Sequence, residues 1–188
     1  MTNLNDEHLI VDPNAVSPWP VAIRYGLIGG LIYCIYTLIG SLSGLISGGL
    51  GLVSFILSGL LAFFIAIGLI VFSVKKHRDK ELGGFITIGR VIIIGLVITG
   101  ISMFISNVFT YVYVNFIDPS FIDNMQGNMG EMFEGFVPEE ELERIILDAG
   151  DRFEIGNLIK GFFGTVVGVG LVVSAIIGLI MKKDPPRM

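Results

Sequence analysis

The charged side chains best suited to bind an anion lie between two long apolar stretches of the sequence. Arg78, Asp79, Lys80 and Glu81 are consecutive, and Arg90 follows a short distance along the chain. Arginine and lysine bind phosphate groups, such as those of lipid headgroups, and they also pair with carboxylates. We therefore predict that these five residues contact lipid phosphate or a protein partner. For Arg90 two roles are open, namely snorkelling to the phosphates and an ion pair with Asp79 or Glu81.

A nucleophile paired with a base is not evident in the sequence. His8 lies in a polar N-terminal stretch and His77 in a basic segment, so both are predicted to be solvated. Cys34, the one cysteine, lies in an apolar stretch with no histidine nearby. The motifs of zinc proteases, phosphate-binding loops and serine hydrolases do not occur. We predict no catalytic residue, no cofactor and no metal site.

Three methionines in the second half of the chain have the spacing of one helix face. Thioethers select Cu(I), so Met125, Met129 and Met132 could form a copper site. Together with Phe121 and Phe136, however, they recur at intervals of three and four residues, which is typical of the apolar stripe of an amphipathic helix. We predict the structural role.

A second amphipathic helix follows and is predicted to begin at Pro138, which suits a first helical position. Its apolar side chains share one face: Leu142, Ile145, Ile146 and Phe153. The segment 118–157 contains eleven acidic and two basic side chains, a net charge of −9, so anionic lipid would repel it. We therefore predict that this face docks onto a protein partner, the first helix or the ends of the spans.

These segments are attached to a chain that is 53% hydrophobic and only 15% charged, whereas soluble domains are about one-quarter charged. Charged residues and histidine are absent from three stretches, which contain 50, 27 and 21 residues: 25–74, 91–117 and 161–181. A helix needs about 20 apolar residues to cross a bilayer. The sequence predicts four spans, at about 21–40, 51–74, 91–115 and 159–181. This composition, with a net charge of −5 and one cysteine, excludes a soluble enzyme, a basic nucleic-acid binder and a disulfide scaffold.

Basic residues predict the orientation. Seven of the twelve follow the second and fourth spans: Lys75, Lys76, Arg78, Lys80, Lys182, Lys183 and Arg187. By the positive-inside rule both termini are cytoplasmic. We predict an acidic cytoplasmic tail at 1–20, a single membrane domain at 21–183 with a cytoplasmic loop at 75–90 and an outer loop at 118–157, and a short tail at 184–188.

The predicted fold class is an all-α integral membrane protein, with four transmembrane helices and an extra-cytoplasmic amphipathic helical hairpin between helices 3 and 4. Small residues four apart, such as Gly26/Gly30 and Gly164/Gly168, predict close packing within the bundle, with a seam between copies as the alternative. Hydroxyl groups within the spans are predicted to hydrogen-bond neighbouring helices. The alternative is a water-lined seam through Ser102, Ser106, Asn107 and Thr110.

Two segments resemble a known family. HRDKELGGFITIGR, from His77 to Arg90, and GLVVSAIIGLIMKKDPP, from Gly170 to Pro186, are similar to the bacterial family catalogued as domain of unknown function 4199. The resemblance covers about Val21 to Lys183. It implies this architecture and a bacterial cytoplasmic membrane, and no activity.

Three functions remain open. The leading hypothesis is a non-enzymatic accessory or scaffold subunit that acts through protein contacts. The alternatives are a small oligomeric transporter or channel component, and an envelope lipid or glycan enzyme subunit that uses Arg78, Lys80 and Arg90 on phosphates. The predicted partners are membrane lipid and either another protein or further copies of the chain, with no nucleic acid.

Overall fold

The computed structural model describes residues 16–183, and within this range the chain is helical apart from turns, short loops and one isolated bridge. The helices are α1 (Trp19–Leu42), α2 (Leu52–Lys80), α3 (Ile88–Val112), α4 (Phe121–Phe133), α5 (Glu139–Asp151), α6 (Ile155–Thr165) and α7 (Ser174–Met181). A π-helical segment, π1 (Tyr113–Ile117), extends α3, and a second, π2 (Val166–Val173), joins α6 to α7.

Four helical segments are long and apolar enough to cross a membrane: Trp19–Leu42, Leu52–Lys80, Ile88–Ile117 and Ile155–Met181. The all-α fold with four long apolar helices is therefore confirmed. We call the end of the bundle that contains residues 75–90 and Lys183 the basic end. The opposite end, which contains residues 41–51 and 118–154, is called the hairpin end.

Helix α3 is the centre of the bundle, because α1, α2 and all three segments of the fourth span pack against it. Its contact with α1 is the most extensive. A Cβ atom built on Gly30 would lie 2.6 Å from Cδ1 of Ile105, and one on Gly26 would lie 2.8 Å from Cβ of Ile101. Only glycine allows the two backbones to approach this closely, as membrane helix interfaces require. Gly26 and Gly30 thus pack as predicted, whereas Gly164 and Gly168 have open space where a Cβ would stand.

The α4–α5 hairpin covers the hairpin end of the bundle. Its buried side chains form one cluster with the end of the third span: Tyr113, Val114, Phe121, Met125, Met129, Met132 and Ala149. The Nδ2 group of Asn128 donates to the carbonyl of Ser47, 3.2 Å away, and so ties α4 to the turn between α1 and α2. Because the methionines are buried in an apolar cluster, the structural role predicted for their stripe is supported.

One member of the predicted stripe lies outside it. Phe136 is 79% exposed, because α4 ends at Phe133 and Gly135 turns the chain with a φ of 78°. That positive φ is readily adopted by glycine and interrupts the helical spacing. Helix α5 then begins at Glu139, with Pro138 as the residue before its first turn rather than within it.

The close approach of α1 to α3 predicts the cost of adding a side chain. Gly30→Leu should lower the free energy of unfolding in nanodiscs by about 1–3 kcal/mol, because the new atoms overlap Ile105. Gly100→Leu on α3 is the matched control, since a Cβ there meets nothing within 4 Å. Both changes remove a helical glycine, so their difference isolates packing. Equal effects of the two substitutions would contradict this account of the interface.

Candidate functional site

The loop at the basic end is attached to the end of the fourth span. Ile86 and Lys183 exchange two backbone hydrogen bonds, with N–O distances of 3.1 and 3.0 Å. The Nη1 group of Arg78 donates to the carbonyl of Met181 at 3.4 Å, and the ammonium of Lys183 lies 5.6 Å from the centre of the Phe85 ring. These contacts join the end of α2, the loop and the end of α7 into one cap.

The five charged residues predicted as a contact site have separate partners. The Nε group of Arg78 donates to Oδ1 of Asp79 at 2.7 Å, and Glu81 accepts a bond from a histidine one helical turn earlier. Lys80 is exposed. Arg90 lies at the start of α3, where its guanidinium donates to the carbonyl of Val16. Contact of these residues with lipid or a partner stays a prediction.

A groove lies beside Arg90 at the start of α1 and α3. It has a volume of about 690 Å³, and its lining residues are Pro18, Trp19, Thr87, Gly89, Arg90, Ile93, Leu96 and Val97. One cationic group therefore stands at the end of an otherwise mostly apolar surface. This amphiphilic combination is suited to a lipid whose headgroup is negatively charged.

His77 contradicts its sequence-based prediction, because it is fully buried rather than solvated. Its Nδ1 atom lies 2.8 Å from Oε2 of Glu81, and its Nε2 atom has no hydrogen-bond partner among residues 16–183. The reason is that α2 continues to Lys80 instead of ending near residue 74. This places His77 on the face of Ile70, Ser73 and Val74, which are also buried. The spacing 70, 73, 74 and 77 was the sequence signal for this burial.

The predicted docking face of α5 is largely covered by α4. Leu142, Ile145, Ile146 and Phe153 are all half-buried. The carbonyl of Ile146 accepts a bond from Nε2 of Gln126 at 3.1 Å, and the ring of Phe153 packs edge-on against Phe121 at 5.7 Å. Docking of a partner to these four residues stays a prediction, since most of their apolar surface already contacts the chain itself. Phe136 and Leu147, which is 62% exposed, offer apolar surface that faces outward.

Polar side chains inside the bundle bond backbone carbonyls of neighbouring helices. The hydroxyl of Ser102 donates to Gly26 at 3.0 Å, and Nδ2 of Asn107 donates to Leu158 at 3.2 Å. The phenols of Tyr33 and Tyr36 donate to the carbonyls of Ala62 and Ser58 on α2, at 2.7 and 2.8 Å. Ser102 and Asn107 of the proposed water-lined seam thus join two different helices to α3.

A partly open cavity of about 330 Å³ lies between α2 and the fourth span, with α3 as its floor. Its lining residues are Tyr33, Gly59, Ala62, Phe63, Ala66, Leu69, Ile98, Thr99, Ser102, Met103, Thr165 and Val169. None of these side chains is a carboxylate, an imidazole or a thiol. Among residues 16–183 no group of three or more His, Cys, Asp or Glu side chains could hold a metal ion.

Because Nε2 of His77 has no partner among residues 16–183, the effect of replacing His77 on stability can be predicted. His77→Leu should unfold no lower in temperature than the wild type, because it removes a buried group whose lack of a partner costs about 1–3 kcal/mol. Glu81, which is 39% exposed, can be solvated instead. His77→Asp should unfold at a clearly lower temperature, since it buries a charge. A clearly less stable His77→Leu variant would mean that Nε2 has a partner in the folded protein.

The comparisons with known proteins bear on the chain as a whole. No curated protein and no solved structure matches it significantly. The family described as Protein of unknown function (DUF4199) matches residues 24–183, which include all the surfaces described above except the start of α1. The resemblance noted in the two sequence segments is thus confirmed, and the chain belongs to this family of membrane-helix proteins.

Proposed function

We propose that the protein is a non-enzymatic accessory or scaffold subunit of the bacterial cytoplasmic membrane that acts through protein contacts. The observation that carries this proposal is how the loop's charged residues are used. Arg78 holds the end of the fourth span, Glu81 bonds His77, and Arg90 holds the segment before α1. In an enzyme, charged side chains of this kind would surround a substrate. In this loop they hold helices and loops together.

The distribution of charge supports an orientation with both termini in the cytoplasm. Lys75, Lys76, Lys80 and Lys183 lie at the basic end, while the acidic hairpin lies at the other. The basic end then faces the anionic inner leaflet, where Arg90 and its groove contact lipid phosphate.

The outward face of α5 is the surface proposed to bind a protein partner. Leu147 is exposed, and Glu143 and Asp151 lie four residues before and after it on the same side of the helix. An apolar side chain between carboxylates complements a partner surface that is basic around an apolar pocket. The inner face of α5 is held by α4, so this outer face is presented in a fixed position.

The orientation can be measured by labelling single cysteines in a Cys34→Ser background. Glu140→Cys on α5 should react with an impermeant maleimide in intact cells, whereas Lys80→Cys should react only after lysis. Both positions are exposed, so the reagent can reach them once it is on the same side of the membrane. Labelling of Lys80→Cys in intact cells would overturn the orientation.

Contact through the outer face of α5 can be tested by photo-cross-linking in living cells. A photoreactive amino acid at Leu147 should form one discrete adduct with a second protein chain, and the same amino acid at exposed Leu50 in the turn after α1 should not. Glu143→Lys with Asp151→Lys should reduce the yield about threefold or more, because it reverses the charge around the contact.

The control for this charge reversal is Glu131→Lys with Glu134→Lys, two exposed acidic positions at the other side of the hairpin. It should leave the yield unchanged. An adduct with the mass of two copies would identify the partner as the chain itself. Failure of Leu147 to form an adduct, or equal loss in both charge-reversed proteins, would remove the support for this surface.

A further inference from the structure

The groove beside Arg90 lies where the chain enters its first helix. The carbonyl of Val16 accepts a hydrogen bond from the guanidinium of Arg90, and Pro18 and Trp19 form part of the groove wall. Val16 is half-buried and packs against the apolar core at this end of the bundle. The preceding segment, residues 1–15, is therefore attached to the protein at the rim of this groove.

The sequence of that segment, which lies outside the described residues, is complementary to the groove. It contains three carboxylates and no lysine or arginine. Between Glu7 and Asp12 stand one histidine and an apolar tripeptide, Leu9, Ile10 and Val11. The groove offers the matching pair of features, a guanidinium at one end and apolar side chains beside it. An acidic and apolar segment therefore suits it in both charge and polarity.

The chain is long enough for Asp12 to reach Arg90. Asp12 is four residues before Val16, which corresponds to at most about 14 Å of extended backbone, and Val16 itself contacts Arg90. A guanidinium has five N–H donors, so its bond to the Val16 carbonyl does not prevent it from bonding a carboxylate. With Asp12 at Arg90, residues 9–11 come next to the nearby apolar lining. Trp19 and Ile93 supply that lining and are 55% and 45% exposed.

The backbone of the segment limits how deep in the groove it can lie. Leu96 and Val97 continue the lining toward the bilayer interior, about 10 Å along α3 from Arg90. An extended backbone at that depth would lose the water that its N–H and C=O groups bond. The favoured position is therefore the rim, on Trp19 and on Ile93, which lies about one helical turn from Arg90.

We propose that residues 9–12 bind the groove of their own chain, with Asp12 bonded to Arg90 and the apolar side chains packed on Trp19 and Ile93. This inference rests on the proposed contact of Arg90 with lipid phosphate, because it adds a competitor for the same guanidinium. A segment tethered by a short linker has an effective concentration in the millimolar range, so a weak contact is sufficient. The bound segment withholds the groove from anionic lipid.

Disulfide formation measures where the segment lies. The full chain with Cys34→Ser is placed in nanodiscs that hold one chain each. Ile10→Cys should form a disulfide with Ile93→Cys at least about tenfold faster than with Phe72→Cys, because a disulfide requires Cα atoms within about 7 Å. Phe72 is 69% exposed, lies on α2 and is outside the groove lining, so it is the matched control.

The contribution of Asp12 is isolated by a second pair of variants. Asp12→Asn should slow the disulfide between positions 10 and 93 about fivefold, because it removes the charge that pairs with Arg90. Asp6→Asn removes one negative charge from the same segment and should leave the rate unchanged. Both substitutions lie outside the four spans, so neither alters the packing of the bundle.

Trp19, the one tryptophan of the chain, reports lipid at the groove. The probe is brominated phosphatidylglycerol in phosphatidylcholine nanodiscs, since bromine quenches tryptophan fluorescence on contact. Asp12→Asn should increase the quenching of Trp19 about twofold or more over the wild type, and Asp6→Asn should not. Brominated phosphatidylcholine, which has no net charge, should quench all three proteins equally.

The two measurements fail separately. Equal disulfide rates for positions 93 and 72, or a rate that Asp12→Asn does not change, would overturn the bound segment. If the disulfide rates are as expected but brominated phosphatidylglycerol quenches no better than brominated phosphatidylcholine, the segment binds the groove and the lipid contact of Arg90 is wrong. Stronger quenching by phosphatidylglycerol that is the same in all three proteins would retain the lipid contact and overturn the competition.

Discussion

The fold depends on the close approach of α1 to α3. Lipid is as apolar as the side chains it surrounds, so helices in a bilayer associate through van der Waals contact and hydrogen bonds rather than through the hydrophobic effect. At Gly26, Gly29 and Gly30 the backbone of α1 comes near enough to α3 that Ile101, Ser102 and Ile105 fill the space of missing side chains. The same approach allows Ser102 to donate to the carbonyl of Gly26. Close packing and hydrogen bonding between α1 and α3 therefore occur at the same place, at Gly26 and Ser102.

On its other side, helix α3 packs closely against the fourth span, again through glycines. A side chain on Gly95 would overlap Ser174, and one on Gly178 would lie 3.1 Å from Cγ2 of Ile88. Small residues thus allow α3 to contact α1 on one side and the fourth span on the other. Helix α3 is accordingly the most buried of the four spans, with 39% of its most apolar window buried, against 17% for α2. Helix α2 makes one such contact, because a Cβ on Gly29 would lie 2.9 Å from Cδ1 of Leu69, and its other bonds to α1 come from tyrosines.

Local sequence patterns predicted the features that depend on neighbours along the chain. Long charge-free stretches identified four spans, and the spacing of Phe121, Met125, Met129 and Met132 identified a buried helix face. The prediction failed where a single residue changed the local geometry, as Gly135 does for Phe136. It also failed for His77, because nearby charges were read as a loop although α2 continues through them. The cap of Arg78 on Met181 joins residues 103 apart, and no local pattern contains that information.

The partly open cavity between α2 and the fourth span follows from how α2 is held. The phenols of Tyr33 and Tyr36 reach from α1 to backbone carbonyls of α2. Helix α1 therefore contacts α2 through two large side chains, whereas it contacts α3 through glycines. A tyrosine that donates across a helix pair also sets a minimum separation between the backbones. Three of the five α2 residues that line the cavity are small, namely Gly59, Ala62 and Ala66, and the space beside them is not filled. Because Tyr33 both holds α2 and lines the cavity, this space is a consequence of the bonding that positions the helix.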